Sequence, residues 1–310
     1  MKTKKFAWLS FLLIAVLGLT LGGCQKEKNK DSNADSSSLQ QLSKDEENIQ
    51  YASDEAMNDA NQVLSGNFLK TTQFWPCSAT IDSTGVVNDT ITFYITYNGP
   101  NCNGRLYRTG QVEIKKKVGT RWIQPGATVI VKFINLTITK VATGKSLILN
   151  GTRTFQNVSG GHLMMLGNGL DALVHRIWGS VQATFDDNTT RIWNIARQRT
   201  FTGSMGALVM TIDGFGTDGG YPNLVCWGTN RHGENFYTQI TLSVVHKESC
   251  GFDPCSGIKI FQIPSDNKSA TITFGYNDQN EPISGNECPT RYRVDWVRNS
   301  HSGTLYLPLH

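Results

Sequence analysis

Cysteine carries the most explicit chemistry of this sequence, and the seven cysteines divide into two uses by position. Cys24 follows a basic start (Lys2, Lys4, Lys5), an apolar run over residues 6–21 and the small pair Gly22-Gly23. That order reads as an export signal, because the run is shorter than the ~20 apolar residues a membrane-spanning helix needs. It places the Cys24 thiol for lipid attachment. The other six, Cys77, Cys102, Cys226, Cys250, Cys255 and Cys288, form an even set in an exported chain and are expected as disulfides. Cys77 and Cys102 flank the hairpin-like segment 80–97, and Cys250 or Cys255 can staple to Cys288 across 258–276. Cys226 takes the remaining partner. No Cys-x-x-Cys occurs and no histidine stands at ligand spacing, so the sequence calls for no metal and no cofactor.

The remaining reactive types are scattered. The histidines (His162, His175, His232, His246, His301, His310) form no paired ligand motif, and no Gly-x-Ser-x-Gly elbow presents a serine nucleophile. Arg231-His232-Gly233-Glu234 sets a base beside an acid, but its glycine and spacing are those of a hairpin tip. Asp213-Gly-Phe-Gly-Thr-Asp-Gly-Gly220 has the acids and glycines of a calcium loop without the alternating oxygen ligands or closing glutamate. Asp186, Asp187, Asp213, Asp218 and Glu234 are the acids from which a hydrolase would draw a pair about 5–10 Å apart. Beyond the leader lie Trp75, Trp122, Trp178, Trp193, Trp227 and Trp296. Trp178 and Trp193 flank the Asp186-Asp187-Asn188 turn, and Arg191 and Arg197 share the parity of Trp193. Together they are expected as an aromatic and polar patch on a wet sheet face, suited to stacking on sugar rings.

The elements that must position these residues follow from periodicity. Residues 24–44 are polar and charged and read as a flexible tether behind Cys24. Residues 45–66 read as a helix: Ile49, Ala52, Ala56, Ala60, Val63 and Leu64 recur at steps of three and four, with Ser43 or Asp45 to cap and Gly66 to stop. From about residue 78 onward the period is two, with turn chemistry at 186–188, 231–234, 265–267 and 299–303. In Thr128-Val-Ile-Val-Lys-Phe-Ile134 the apolar parity changes, which predicts a bulge near Ile134. Short polar turns between alternating strands imply antiparallel neighbours, since parallel ones need long crossovers. Glu113, Lys115, Arg191, Arg197 and Arg199 suggest one wet face. The fold expected is all-β: a large curved antiparallel meander sheet or partly open barrel with one N-terminal helix, the alternative being a β-sandwich. The domain limits are a leader over 1–23, the acyl site and tether over 24–44, the helix over 45–66 and one β domain over 67–310.

The formal net charge is +4, and Lys2, Lys4 and Lys5 of the leader supply three of those charges without a compensating acid. The mature chain is thus nearly neutral and has no bulk attraction for nucleic acid.

Leu21-Gly22-Gly23-Cys24 resembles the lipobox of bacterial lipoproteins. The resemblance implies a diacylglyceryl thioether on Cys24 and cleavage before it. Gln25, where an aspartate would retain the protein at the inner membrane, implies the outer membrane, on its periplasmic or surface side. Cys24-Gln-Lys-Glu is also similar to surface-export signals of Bacteroidetes lipoproteins. The chain as a whole resembles Bacteroidetes lipoproteins with no assigned activity. It does so through Cys102-Asn-Gly-Arg-Leu-Tyr-Arg-Thr-Gly110, Pro125-Gly126-Ala-Thr-Val-Ile, Gly151-Thr-Arg-Thr, Gly228-Thr-Asn-Arg-His-Gly233 and the Cys250–Gly257 region. It departs from them over 160–168 and 213–220 and at Cys226 and Cys255, where a role of its own is expected. The function expected is a non-enzymatic binding or structural module held on a membrane by its lipid anchor. Its partner would be a glycan, a lipid or another envelope protein, with a glycan or peptide hydrolase and a carrier of an apolar ligand as the alternatives.

Overall fold

A computed structural model describes residues 29–64 and 76–309. The leader, Cys24, the first residues of the tether, Gly66, Trp75 and His310 lie outside them. The chain is all-β, with a single α-helix among the described residues, α1 (Asn29–Leu64). The strands are β1 (Ala79–Ser83), β2 (Thr90–Pro100), β3 (Leu106–Lys117), β4 (Ala127–Lys140), β5 (Ser146–Asn157), β6 (Ala172–Phe185), β7 (Thr190–Thr202) and β8 (Val209–Gly214). There follow β9 (Gly216–Asp218), β10 (Tyr221–Thr229), β11 (Asn235–Lys247), β12 (Pro254–Ile263), β13 (Lys268–Tyr276), β14 (Arg291–Arg298) and β15 (His301–Pro308). They make one 15-stranded antiparallel meander in which β1 and β15 are the unpaired ends, so the sheet does not close into a barrel. No described helix is long and apolar enough to cross a membrane.

The helix begins well before Asp45 and takes in most of the segment expected as tether. Once the half beyond Asp45 is nucleated by packing, extending it N-terminally requires only propagation, which polar residues permit. Its apolar stripe, Ile49, Ala52, Ala56, Met57, Ala60, Val63 and Leu64, is buried in the same core as residues of β2 through β14. A flat sheet from β2 to β12 would be roughly 38 Å across at ~4.8 Å per strand. The helix from Asp45 to Asp59 is roughly 21 Å long. Side chains of that stretch nevertheless bond to β2, β3, β4, β5, β7, β11 and β12. The sheet must therefore curl round the helix.

Two devices permit the curl. The bulge expected near Ile134 is present, with register shifts on both sides of β4 and Asn135 at φ 46°. Opposite it stands Gly110, where a Cβ would lie 2.2 Å from the Asn135 carbonyl oxygen. In the middle of the sheet Gly151 (φ 145°) and Gly179 (φ 138°) bring adjacent strands together, each where a Cβ would stand 2.3 Å from the other strand's carbonyl.

Residues 213–220 interrupt the meander. β8 and β10 lie end to end between β7 and β11: Arg197–Thr202 of β7 pair with β8, and Ile192–Ile195 pair with β10. Residues between them leave the sheet as a short hairpin, β9 against β10, with Phe215 bonded to the Ala196 carbonyl.

Disulfides join Cys77 to Cys102 and Cys250 to Cys288, closing separations of 25 and 38 residues. Loops of that size imply about 3–4 kcal/mol of stabilisation each. The third expected bridge is absent: Cys226 and Cys255 are buried free thiols. Cys226 lies on the inner face of β10 opposite Thr238, and Cys255 sits at the start of β12 with its thiol directed to the Asp253 carbonyl. Burial, reinforced by nearby Glu46, pushes the Cys226 thiol up to about 12, so it stays protonated and inert.

Candidate functional site

The inner face is where the charges converge. Asp45 receives two bonds from Arg231, both 2.6 Å, and the Arg231 guanidinium lies 3.4 Å from the Phe185 ring centre. Glu46 accepts from Thr238 and lies 3.7 Å from Lys259. Asp54 binds Arg197 at 2.8 Å and Arg199 at 2.5 Å. Arg153 donates to Ser53, one residue earlier on the helix. Asp59 accepts from Tyr97 and Arg108 at 2.8 and 2.7 Å. Burial raises the Asp59 carboxyl despite Arg108, and raises the Tyr97 hydroxyl well above its ordinary range. At Asp54 burial pushes the same way, but Arg197, Arg199 and Arg153 outweigh it and hold the carboxyl below its usual value.

This overturns the expected wet patch. Trp193, Arg191 and Arg197 do share a face, but it is the inner one, and each is only 1% exposed. Trp193 lies under the Arg153 guanidinium at 4.5 Å, and Arg191 covers the Phe236 ring at 4.2 Å. The physical reason is the helix, whose carboxylates allow charges on β7 to be buried. Trp178 is separated from them and stands on the outer face, because it pairs with Ala196 whereas Trp193 pairs with Val181. Arg199 is likewise turned inward, while Glu113 and Lys115 pair at 2.9 Å on the outer face as expected.

Beside the helix the inner face leaves a cavity of about 340 Å³. Its walls are Val225, Val244, Phe261, Ile272 and Phe274 from β10 to β13, with Tyr292, Pro308 and Leu309 at the C-terminal side. Gln50, Tyr51 and Asp54 of the helix cover it, and Arg197, His246 and Lys259 add polar atoms to its lining. His246 binds the Phe252 carbonyl through Nδ1, and burial lowers its pKa to about 4, so its ring is neutral near pH 7. No sequence signal marks this cavity, because its lining residues look like ordinary strand residues and become a concavity only when the helix covers part of the concave face.

A second concavity lies on the outer face. Ser180, Asn194 and Trp227 stand in one row across β6, β7 and β10, and Trp178 with Ala196 in the next. The hairpin after β8 lays Phe215 and Gly216 over them, with Trp178 and Phe215 edge to face at 6.4 Å. Arg176 and Gln156 complete a groove of about 610 Å³. One strand separates Trp178 from Trp227, a span of roughly 10 Å. Trp178, Trp227 and Phe215 thus line this groove, and Trp193, Arg191 and Arg197 do not.

The hydrolase acids are tied to other partners or exposed to solvent. Asp187 pairs with Arg231 at 3.0 Å and accepts from Thr189, whose bonds hold its carboxyl below the usual range. Glu234 accepts from Asn230 and Asp213 from Ser243, while Asp186 and Asp218 are exposed. No group of three or more potential metal ligands occurs among the described residues.

The fold and its two concavities define the class: an all-β protein whose open antiparallel sheet is wrapped on one helix. No protein-family model, curated protein or solved structure matches the chain.

Proposed function

We propose that this chain is a lipoprotein of the Bacteroidetes kind, held on the outer membrane through an acylated Cys24, whose β domain is a non-enzymatic binding module. The ligand is a small apolar molecule carried in the inner cavity. The observation that carries this reading is the wall of Val225, Val244, Phe261, Ile272 and Phe274, an apolar surface facing a space of about 340 Å³. That is within the range of small-molecule sites, which are mostly apolar with a few placed polar groups. The tether and lipid would hold the domain at the membrane, where apolar molecules concentrate. The partners on this reading are the membrane and the carried ligand.

The test uses the Cys24→Ser chain, which keeps every residue but one and cannot take the lipid. A neutral dye such as N-phenyl-1-naphthylamine should bind it at one site, and Val244→Phe should weaken that binding at least tenfold. Equal binding to both chains would sink the cavity reading. Palmitate labelling of the native chain, lost in Cys24→Ser, tests the anchor separately; persistent labelling refutes it.

The outer groove favours a second reading, a glycan-binding face. Trp178 and Trp227 flank a floor bearing Asn194 and Ser180, so rings can supply stacking while amide and hydroxyl groups meet sugar hydroxyls. Soluble oligosaccharides should quench tryptophan fluorescence of the native chain, and Trp178→Ala with Trp227→Ala should abolish the quench. A quench that survives both substitutions removes this reading.

A further inference from the structure

The inner cavity adjoins a cluster of charge that the described side chains do not balance. Arg153 of β5 and Arg197 and Arg199 of β7 converge on the helix turn holding Ser53 and Asp54. Three guanidiniums there meet one carboxylate. Arg153 and Arg197 are 0% and 1% exposed, so bulk water does not screen them. Glu46, which shares the cavity lining, is already engaged with Thr238 and Lys259. Asp253 stands at the cavity's edge, and His246 contributes no charge near pH 7.

The hydrogen-bonding capacity is unfilled as well. Nε of Arg197, Nε of Arg199, and Nε and Nη2 of Arg153 have no hydrogen-bond partner among the described residues. A buried guanidinium left without partners is costly, and it does not escape by losing its proton near pH 7. Burial lowers Arg153 to about 9 and Arg197 to about 10, which still leaves both charged at neutral pH. Arg197 is the member of this cluster that lines the cavity. Fixed cationic donors therefore border the same space as the apolar wall of Val225, Val244, Ile272 and Phe274.

We propose that the ligand of the inner cavity is an amphiphile with an anionic head, its head at Arg197 and its chain along the apolar wall. This rests on the cavity reading and adds to it the class of molecule bound. A carboxylate and a phosphate monoester share the required chemistry, since both present oxygen acceptors to a guanidinium fork. The head would supply negative charge where the protein's own carboxylates fall short, and the chain would displace water from the wall.

The experiment titrates the Cys24→Ser chain with tetradecanoate, tetradecyl phosphate and tetradecanol, which share a chain and differ in the head. At least one anionic probe should bind ten or more times tighter than tetradecanol. The tighter of the two assigns the head as carboxylate or phosphate. Shortening the chain should weaken each probe by roughly three- to fourfold per methylene removed. Arg197→Gln should erase the preference for the anionic head over tetradecanol. Asp54→Asn, which removes the carboxylate competing for the same arginines, should strengthen anionic binding severalfold. If either variant fails to fold, the comparison of heads on the otherwise native chain still decides. Equal affinity for all three probes overturns the anionic head and leaves the apolar cavity standing. Binding of none of them, together with no dye binding, overturns both.

Discussion

Strand β7 has two faces that use similar sequence in opposite ways. Inward it presents Arg191, Trp193, Ile195, Arg197 and Arg199; outward it presents Asn194 and Ala196. The inner residues include the most polar side chains of the strand and are the drier set, with Trp193 and both Arg191 and Arg197 nearly inaccessible. The outer set is modest in size and floors a groove open to solvent. Charge is therefore no guide to the wet side of this sheet. What decides is whether a counter-charge is delivered, and here α1 delivers Asp45, Glu46, Asp54 and Asp59 across the concave face.

The contrast can be broken from the inside first. Asp54→Ala strands Arg197 and Arg199 without their carboxylate and should lower the unfolding free energy by about 3–5 kcal/mol, read from urea denaturation. Trp193→Ala, which empties a fully packed site beneath Arg153, should cost a similar 3–5 kcal/mol. Trp178→Ala on the outer face should cost less than about 1 kcal/mol and leave the denaturation midpoint nearly in place. If Trp178→Ala and Trp193→Ala prove equally damaging, the assignment of the two faces is wrong.

A pH series sharpens the same comparison with a smaller effect. His175 and His246 lie on the inner side, and burial lowers both to about 4, for His175 with help from Arg199. Between that value and the ordinary histidine pKa near 6.5 the unfolded chain binds protons that the folded chain refuses. Stability is therefore complete above about pH 6.5 and falls as the pH drops toward 4, by at most about 3 kcal/mol for each histidine. His175→Phe, which keeps a ring against Phe155 and Phe201, should remove about half of that slope. An unchanged slope would place His175 in solvent. The smallest effect concerns Cys226, whose thiol should resist alkylation in the native chain at pH 8 and react only on unfolding. Rapid labelling of Cys226 without unfolding would contradict its burial.

Much of the architecture was legible in the alternation of the strands and the chemistry of their turns, and the parity change at Ile134 located a real bulge. The pairing of Cys77 with Cys102 followed from the hairpin between them. The inner site was not legible, for a physical reason. Arginines at alternate positions of a strand look solvent-facing until the partner carboxylates are known, and those sit on a helix more than a hundred residues away in sequence. The relative placement of the two tryptophans is legible in the turn between them. A hairpin centred on Asp187 pairs residues of like parity, so Trp178 and Trp193 had to lie on opposite faces. The cavity belongs to no motif at all; it exists because a thin, alanine-rich helix covers only part of a wide concave sheet.

On the proposed reading this uncovered part of the concave face holds a ligand. The most direct measurement is native mass spectrometry of the Cys24→Ser chain after expression with its own export signal, compared with Cys24→Ser carrying Val244→Phe. The account predicts one bound amphiphile-sized mass per chain in the first and its loss in the second. An identical spectrum from both, with or without an adduct, would contradict it.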